Sequence, residues 1–202
     1  MLVSDIVRNN AQYFPQAEAV VVPGGVTRTW EELDRRTDQV ANAFATLNLS
    51  KGDRVAIFAP NCAEYLEFFF GCAKSGVIGA AINVRLAPGE VATYLRYVEP
   101  KVVLVHAALA DEAAAWLEAD VPAHTVVGIG EGHPYDLDFE TLVSAAPSSP
   151  PQVEVAETDV YQLAATSGTT GVPKAAMMTH RNAIAAMLNW LSEMPVPKQS
   201  TA

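Results

Sequence analysis

Residues 166–174 combine the side-chain types with which proteins hold polyphosphates. The segment reads Thr166-Ser167-Gly168-Thr169-Thr170-Gly171-Val172-Pro173-Lys174. Its four hydroxyls and its backbone N–H groups can donate hydrogen bonds to anionic oxygens, and its glycines let the backbone approach a ligand closely. The lysine adds a compact positive charge on a flexible stem. We therefore predict a phosphate-binding loop, whose binding residues are Thr166, Ser167, Gly168, Thr169, Thr170, Gly171 and Lys174.

This loop differs from a Walker A loop. A Walker A lysine follows a glycine and precedes Ser or Thr, whereas Lys174 lies between Pro173 and Ala175. The flanking residues 160–165 and 175–179 are mostly apolar and predict two short strands, so the loop is expected to connect strand to strand. An ordinary turn also collects Gly, Ser, Thr and Pro. Such a turn does not account for four hydroxyls together with a lysine.

The segment resembles the phosphate-loop signature of the adenylate-forming superfamily. That group includes acyl-CoA synthetases, luciferase-like enzymes and peptide-synthetase adenylation domains. Residues 178–182, Met-Thr-His-Arg-Asn, match the same family. Segments similar to the opening of acyl-CoA synthetases occur upstream in the same order, at residues 29–33, 51–57, 60–65, 73–81 and 83–86. The likeness covers nearly the whole chain, is weakest at residues 107–157, and is broken at Ala175, where the family usually has glycine.

The resemblance implies an activity and the compounds that take part in it. It implies an ATP-dependent acid–CoA ligase that activates a fatty or aryl carboxylic acid as acyl-AMP and then transfers the acyl group to coenzyme A. ATP, Mg²⁺ and coenzyme A are the implied cofactors, and Lys174 is the implied catalytic residue. Relatives run to more than twice this length, and their later nucleotide, magnesium and lysine motifs have no counterpart here. The chain thus resembles an N-terminal part, and we expect its 202 residues alone to be inactive.

Two alternatives share the phosphate loop. One is a different adenylate-forming activity, either luciferase-like or that of a peptide-synthetase adenylation domain. The other is a truncated, non-catalytic nucleotide-binding or interaction module, which would bind ATP without catalysing ATP–pyrophosphate exchange.

Composition narrows the classes of partner. The chain carries 13 Lys and Arg against 23 Asp and Glu, a formal net charge of −10, which argues against a nucleic-acid surface. No apolar stretch reaches the ~18 residues expected of a membrane span, and the N-terminus lacks a signal-peptide pattern, so we predict a cytoplasmic protein.

Cys62 and Cys72 show neither disulfide nor metal-ligand spacing and are predicted to be structural. We predict no metal site within this chain, and the sequence carries no signal for its oligomeric state.

The apolar pattern predicts an α/β fold, a layered sheet flanked by helices. The resemblance implies that this sheet is a partial N-terminal domain of an acyl-CoA-synthetase-like fold. Thr29 and Glu32 form a capping-box pattern ahead of an amphipathic helix. Strands alternate with helices farther along, which is typical of a parallel sheet. The predicted strands are 54–59, 77–82, 101–106 and 125–129, and the predicted helices are 61–75, 88–98, 111–119 and 139–145.

Three regions are expected along the chain. Residues 1–145 form a first α/β subdomain, the Pro- and Ser-rich residues 146–158 a linker-like junction, and residues 159–202 the start of the next subdomain, which carries the phosphate loop. His180 is predicted to lie near the start of a helix that Thr179 caps, in a structural rather than a catalytic role.

Overall fold

The structure is a computed structural model that describes residues 1–119, 121–122, 125–166 and 174–193. The helices in this part of the chain are α1 (Ser4–Tyr13), α2 (Trp30–Thr46), α3 (Ala63–Ser75), α4 (Pro88–Val98), α5 (Ala110–Leu117), α6 (Phe139–Ala145) and α7 (His180–Glu193). The strands are β1 (Glu18–Val21), β2 (Thr27–Thr29), β3 (Arg54–Phe58), β4 (Ile78–Ala81), β5 (Val102–His106), β6 (Thr125–Ile129), β7 (Leu137–Asp138), β8 (Val160–Thr166) and β9 (Lys174–Thr179).

Seven of the strands form one sheet in the order β7-β6-β5-β3-β4-β8-β9. All neighbouring pairs are parallel except β8 and β9, which are antiparallel. The predicted parallel, layered sheet is therefore confirmed, with an antiparallel strand added at one edge. β1 and β2 form a separate antiparallel pair.

Helices cover both faces of the sheet, and the alternation of side chains along β3 shows how. Val55 and Ile57 belong to an apolar cluster that also contains residues of α2, α3 and α6. Ala56 and Phe58 point the other way and belong to a cluster with residues of α4 and α5. This two-sided burial confirms the predicted α/β class.

The helices α2 and α3 pack closely and enclose charged side chains. The predicted capping box is present, because Thr29 accepts from the Glu32 backbone and Glu32 accepts from the Thr29 backbone. α3 ends at Gly76, whose φ of 72° is the left-handed conformation that favours glycine. Within α3, Glu67 and Lys74 are buried and paired with charged residues from the preceding part of the chain.

Several details differ from the sequence-based expectation. β7 was not predicted, because two residues are too few to show an alternating pattern. The helix expected from residue 61 begins at Ala63, so Cys62 lies just before α3 and Cys72 within it. β8 pairs directly with β4, although the division into subdomains at residues 146–158 stays a prediction. No helix in the described ranges is long and apolar enough to cross a membrane.

Candidate functional site at the carboxyl edge of the sheet

The two ends of the predicted phosphate loop are held side by side. β8 ends at Thr166, β9 begins at Lys174, and these two residues are partners across the antiparallel pair. The expected strand–loop–strand arrangement is thus confirmed at both ends. Residues 167–173, which include the predicted Ser167, Gly168, Thr169, Thr170 and Gly171, lie outside the described residues, as do the side chains of Thr166 and Lys174. The assignment of these residues to phosphate binding stays a prediction.

The loop leaves the sheet at the edge where parallel α/β sheets bind ligands. β8 runs parallel to β4, with Gln162 opposite Gly79 and Leu163 opposite Ala80. The carboxyl end of β8 therefore lies at the same edge as the carboxyl ends of β3 to β6. In open α/β sheets the ligand crevice lies outside the carboxyl ends of the strands.

A second segment, which carries the polar residues Asn83 and Arg85, emerges at this edge next to the end of β8. Residues 82–87 follow β4, the direct neighbour of β8. Asn83 accepts a hydrogen bond from the Arg85 backbone N–H at 3.0 Å, and Arg85 itself is exposed. Sequence reasoning assigned these residues no role. Their position after a predicted strand was readable, but the adjacency of that strand to β8 was not.

The opposite end of the β8–β9 hairpin is anchored by α7 and the segment before β8. Thr179 caps α7 as predicted, because its Oγ1 accepts from the Asn182 backbone N–H at 3.1 Å. The His180 N–H donates to the Asp159 carbonyl at 3.2 Å, and the Arg181 N–H donates to the Glu157 carbonyl at 2.8 Å. These bonds tie the start of α7 to the residues that lead into β8.

Charges reinforce this anchor. Arg181 pairs with the Glu157 carboxylate at 2.6 Å and lowers its pKa, and Lys51 pairs with Asp159 at 2.6 Å and lowers the pKa of that carboxyl. Since both carboxylates face a cation in the folded state, both stay ionised near neutral pH. His180, at the centre of the anchor, is fully buried, and this burial lowers its pKa.

Among the described residues, neither cysteine has a neighbour that would activate a thiolate. Cys72 is fully buried, and burial raises the pKa of its thiol. Burial also raises the pKa of Cys62 to about 12. Both thiols are therefore protonated at neutral pH and are poor nucleophiles. This is consistent with the structural role predicted for them.

The described residues include no group of three or more His, Cys, Asp or Glu side chains placed to hold a metal ion. Of the four histidines, His124 lies outside the described residues. His133 bonds to Asp138 at 3.2 Å beside a cavity of about 560 Å³. This cavity lies beyond the end of β6, with three strands between β6 and β8, and its acidic lining does not suit a phosphate. It is lined in part by Glu64, Glu131, Asp138 and Glu140.

Comparisons with known proteins agree with this geometry. A family model described as AMP-binding enzyme matches residues 7–201. The chain is 35% identical over 193 residues to the long-chain-fatty-acid–CoA ligase FadD13 of Mycobacterium tuberculosis, covering 95% of this chain and 37% of that protein. It is 33% identical over 192 residues to a feruloyl-CoA synthase of an Amycolatopsis species, covering 95% of this chain and 36% of that protein.

A solved structure shows the same fold. The inhibitor-bound N-terminal domain of FACL13 from Mycobacterium tuberculosis matches with a TM-score of 0.88 and 31% sequence identity, covering 96% of this chain and 48% of that one. The chain spans little more than a third of the length of the curated relatives named above, at 37% and 36%.

Proposed function

This chain belongs to the family of AMP-binding enzymes, and we propose that it supplies the N-terminal part of an ATP-dependent acid–CoA ligase. The observation that carries the proposal is the antiparallel pair β8–β9, which holds the ends of a hydroxyl-rich loop at the carboxyl edge of the sheet. The named relatives act on a long-chain fatty acid and, as feruloyl-CoA synthase, on an aryl acid. The proposed substrate is accordingly a fatty or aryl carboxylic acid.

The proposed reaction has two steps. An oxygen of the substrate carboxylate attacks the α-phosphorus of ATP, the bond from that phosphorus to the bridging oxygen breaks, and pyrophosphate leaves. The thiol of coenzyme A, losing its proton, then attacks the acyl carbon of the acyl-AMP, and AMP leaves with the electrons of the broken C–O bond. The products are a thioester, AMP and pyrophosphate.

The difficulty of the first step is the meeting of two anions. We propose that the backbone and hydroxyls of residues 166–171 hold the β- and γ-phosphates and that Lys174 offsets the charge that develops on the leaving pyrophosphate. Arg85 supplies a further positive charge at the same edge. Such positioning and electrostatic stabilisation account for most of the catalysis in phosphoryl chemistry.

Mg²⁺ and coenzyme A are proposed cofactors of the whole enzyme. The described residues provide no cluster that fits a metal ion, and the family resemblance assigns the magnesium carboxylate to a later segment. No step is therefore assigned to Mg²⁺ on this chain.

We further propose a cytoplasmic enzyme without nucleic-acid partners. We also propose the division of the chain into a first α/β subdomain (1–145), a linker-like junction (146–158) and the start of the next subdomain (159–202). The chain by itself is proposed to be inactive in turnover.

The test is a pair of lysine substitutions that change the net charge equally. Lys174→Ala removes the proposed phosphate contact. Lys101→Ala removes an exposed lysine just before β5, at the amino ends of the parallel strands, where it pairs with Asp53 at 2.7 Å. In isothermal titration, the dissociation constant of Mg–ATP should rise roughly tenfold or more in Lys174→Ala. This change corresponds to the free energy of one hydrogen bond to a charged group. Lys101→Ala should bind as the wild type does.

The alternatives give different results. Equal ATP affinity in the wild type and in both variants would remove Lys174 from the phosphate site. In the intact enzyme, ATP binding without any ATP–pyrophosphate exchange would favour the non-catalytic binding module. Slower exchange in Lys174→Ala, with unfolding unchanged, supports the ligase.

A further inference from the structure

His180 joins two parts of the chain that are 177 residues apart. Its Nδ1 accepts a hydrogen bond from the Val3 backbone N–H at 3.1 Å, and the side chain is fully buried. Val3 is the N-cap residue of α1 and has no side-chain cap of its own. The imidazole thus satisfies a backbone donor that the helix start leaves open.

The same side chain contacts the hairpin that carries the phosphate loop. The His180 ring lies 5.2 Å from the ring of Tyr161, the second residue of β8. Val3 and Tyr161 belong to one apolar cluster with Ile184 of α7 and Ala73 of α3. His180 therefore lies where α1, α7 and β8 meet. We call the His180–Val3 hydrogen bond and these contacts the clasp.

Among the described strands, the hairpin is hydrogen-bonded to the rest of the sheet only through the pairing of β8 with β4. β8 is paired with β4 through two residue pairs, at Gly79 and Ala80, whereas β5 and β6 are paired through five. β9 pairs with β8 alone among the described strands. Because the pairing with β4 is short, the orientation of the hairpin also depends on contacts at its base, the end formed by Val160 and Thr179.

The clasp requires a neutral imidazole. Nδ1 is the acceptor, so the proton of the neutral ring lies on Nε2, which is buried and lacks a partner among the described residues. A second proton would place an N–H at Nδ1, directly against the Val3 N–H, and the hydrogen bond would be lost. Protonation and the clasp therefore exclude one another.

The surroundings favour the neutral form. Burial is the main cause and lowers the pKa of His180 below its usual value near 6.5. Asp159 and Asp5 act in the opposite direction, while Lys51 and the N-terminal ammonium lower the pKa further. Because the folded state holds the neutral ring, the clasp is complete above about pH 6.5 and weakens as the pH falls through the lowered value.

We propose that neutral His180 is a positioning residue for the β8–β9 hairpin, and that protonation of its ring breaks the clasp, loosens the hairpin and weakens nucleotide binding at acidic pH. This inference rests on the proposed function for its nucleotide part. Its structural part concerns the hairpin alone and can be measured without ATP.

Three variants separate the hydrogen bond from the bulk of the side chain. Val3→Pro removes the donor while keeping a backbone φ near the native −60°, which proline adopts. His180→Leu removes the acceptor, and His180→Asn keeps an acceptor oxygen near the position of Nδ1 but does not titrate. His106→Asn is the control, because the Nδ1 of His106 accepts only from the nearby Ala108 N–H, at the end of β5.

The first measurement is amide hydrogen exchange of the full 202-residue chain at pH 7.5 without nucleotide. Val3→Pro and His180→Leu should speed exchange across β8 and β9 roughly two- to tenfold, the range of one neutral hydrogen bond. His106→Asn should exchange there as the wild type does, and His180→Asn, which keeps the acceptor but loses the ring that contacts Tyr161, should fall between the wild type and His180→Leu. Unchanged hairpin amides in Val3→Pro, the variant that keeps the imidazole, would overturn the positioning role.

The second measurement, made on the intact enzyme, is the dissociation constant of ATP at a series of pH values that falls stepwise from 7.5. The terminal phosphate of ATP also titrates in this range, so the wild type is read against His180→Asn. The wild type should lose roughly two- to tenfold more affinity on acidification than His180→Asn does. An equal loss in both would refute the pH-dependent part. An intact enzyme that binds no ATP at pH 7.5 would contradict the proposed function, and the exchange data would still decide the role of His180.

Discussion

Glu67, a buried residue of α3, bonds to two arginines, Arg28 and Arg36. Its side chain is 1% exposed and accepts from Arg28 Nε at 2.9 Å and from Arg36 Nε at 2.8 Å. Arg36 also donates to Glu140, whose side chain is 63% exposed. One guanidinium therefore bonds to a buried and an exposed carboxylate, so two substitutions can compare the same type of contact in two environments.

We expect these two carboxylates to contribute very differently to stability. Glu67→Leu removes the buried carboxylate that Arg28 and Arg36 share and leaves Arg36 only its exposed partner Glu140. It should lower the free energy of unfolding by up to about 3–5 kcal/mol, the cost of breaking a buried ion pair. Glu140→Gln removes an exposed partner and should cost less than about 1 kcal/mol. Urea unfolding of the two variants measures both. Similar losses in the two variants would mean that solvent reaches Glu67.

At this scale the sequence predicts what is local. The Thr29–Glu32 capping box and the Thr179 cap of α7 span three residues each and are both present. The pairing of Arg36 with Glu67 and of Val3 with His180 depends on contacts across 31 and 177 residues. No spacing rule covers such contacts, since they follow from the packing of whole elements.

The packing of α2 on α3 depends on a glycine in the middle of a helix. A Cβ at Gly71 would lie 2.4 Å from Val40 Cγ1 and 2.8 Å from Val40 Cβ, closer than real carbon contacts. Glycine is otherwise unfavourable in a helix interior, by about 1 kcal/mol relative to alanine. The close approach of the two helices accounts for its presence here.

Gly71→Ala should therefore destabilise the fold despite its better helix propensity. We expect a loss of about 1–3 kcal/mol in the free energy of unfolding, the usual cost of overpacking. The double variant Gly71→Ala/Val40→Ala should lose less than the sum of the two single changes, because the shortened Val40 side chain makes room for the new methyl group. Strictly additive losses, or a stabilised Gly71→Ala, would show that the helices can separate without cost.

Among the elements, predictability follows length and periodicity. The predicted helix 88–98 coincides with α4 (Pro88–Val98), whose first-turn proline marks its start. The predicted strand 125–129 coincides with β6 (Thr125–Ile129). β7 consists of Leu137–Asp138 and is defined by its pairing with β6, so it has no pattern of its own.

For the whole molecule, the class was predictable but the arrangement of strands was not. Alternating strands and helices indicate a parallel sheet from the sequence alone. In the order β7-β6-β5-β3-β4-β8-β9, the direction in which the chain adds strands to the sheet changes twice, after β4 and after β7. Each change depends on which face of the sheet the connecting helix covers. The candidate site shares this limit, because its residue types are local to residues 166–174, whereas the position of β8 and β9 beside β4 follows from the strand order.

This arrangement also predicts how stability is distributed over the molecule. β3 lies at the centre of the sheet, with Val55, Ala56 and Ile57 fully buried between two helical layers. β9 lies at the edge with Met177 72% exposed, and α7 buries only His180 and Ile184 among its described residues. Local opening should therefore cost much less at β9 and α7 than at β3.

Native-state hydrogen exchange at increasing urea concentration tests this distribution. Amides of β3 should exchange only through global unfolding, with a strong urea dependence, because their opening exposes the whole core. Amides of β9 and α7 should exchange through smaller openings with weak urea dependence, and ATP should slow them if the loop between β8 and β9 binds phosphate. Without nucleotide, the amides of β9 could instead show the same opening free energy as those of β3 at every urea concentration. The hairpin would then be a rigid part of the core, and nucleotide binding could not be linked to its ordering.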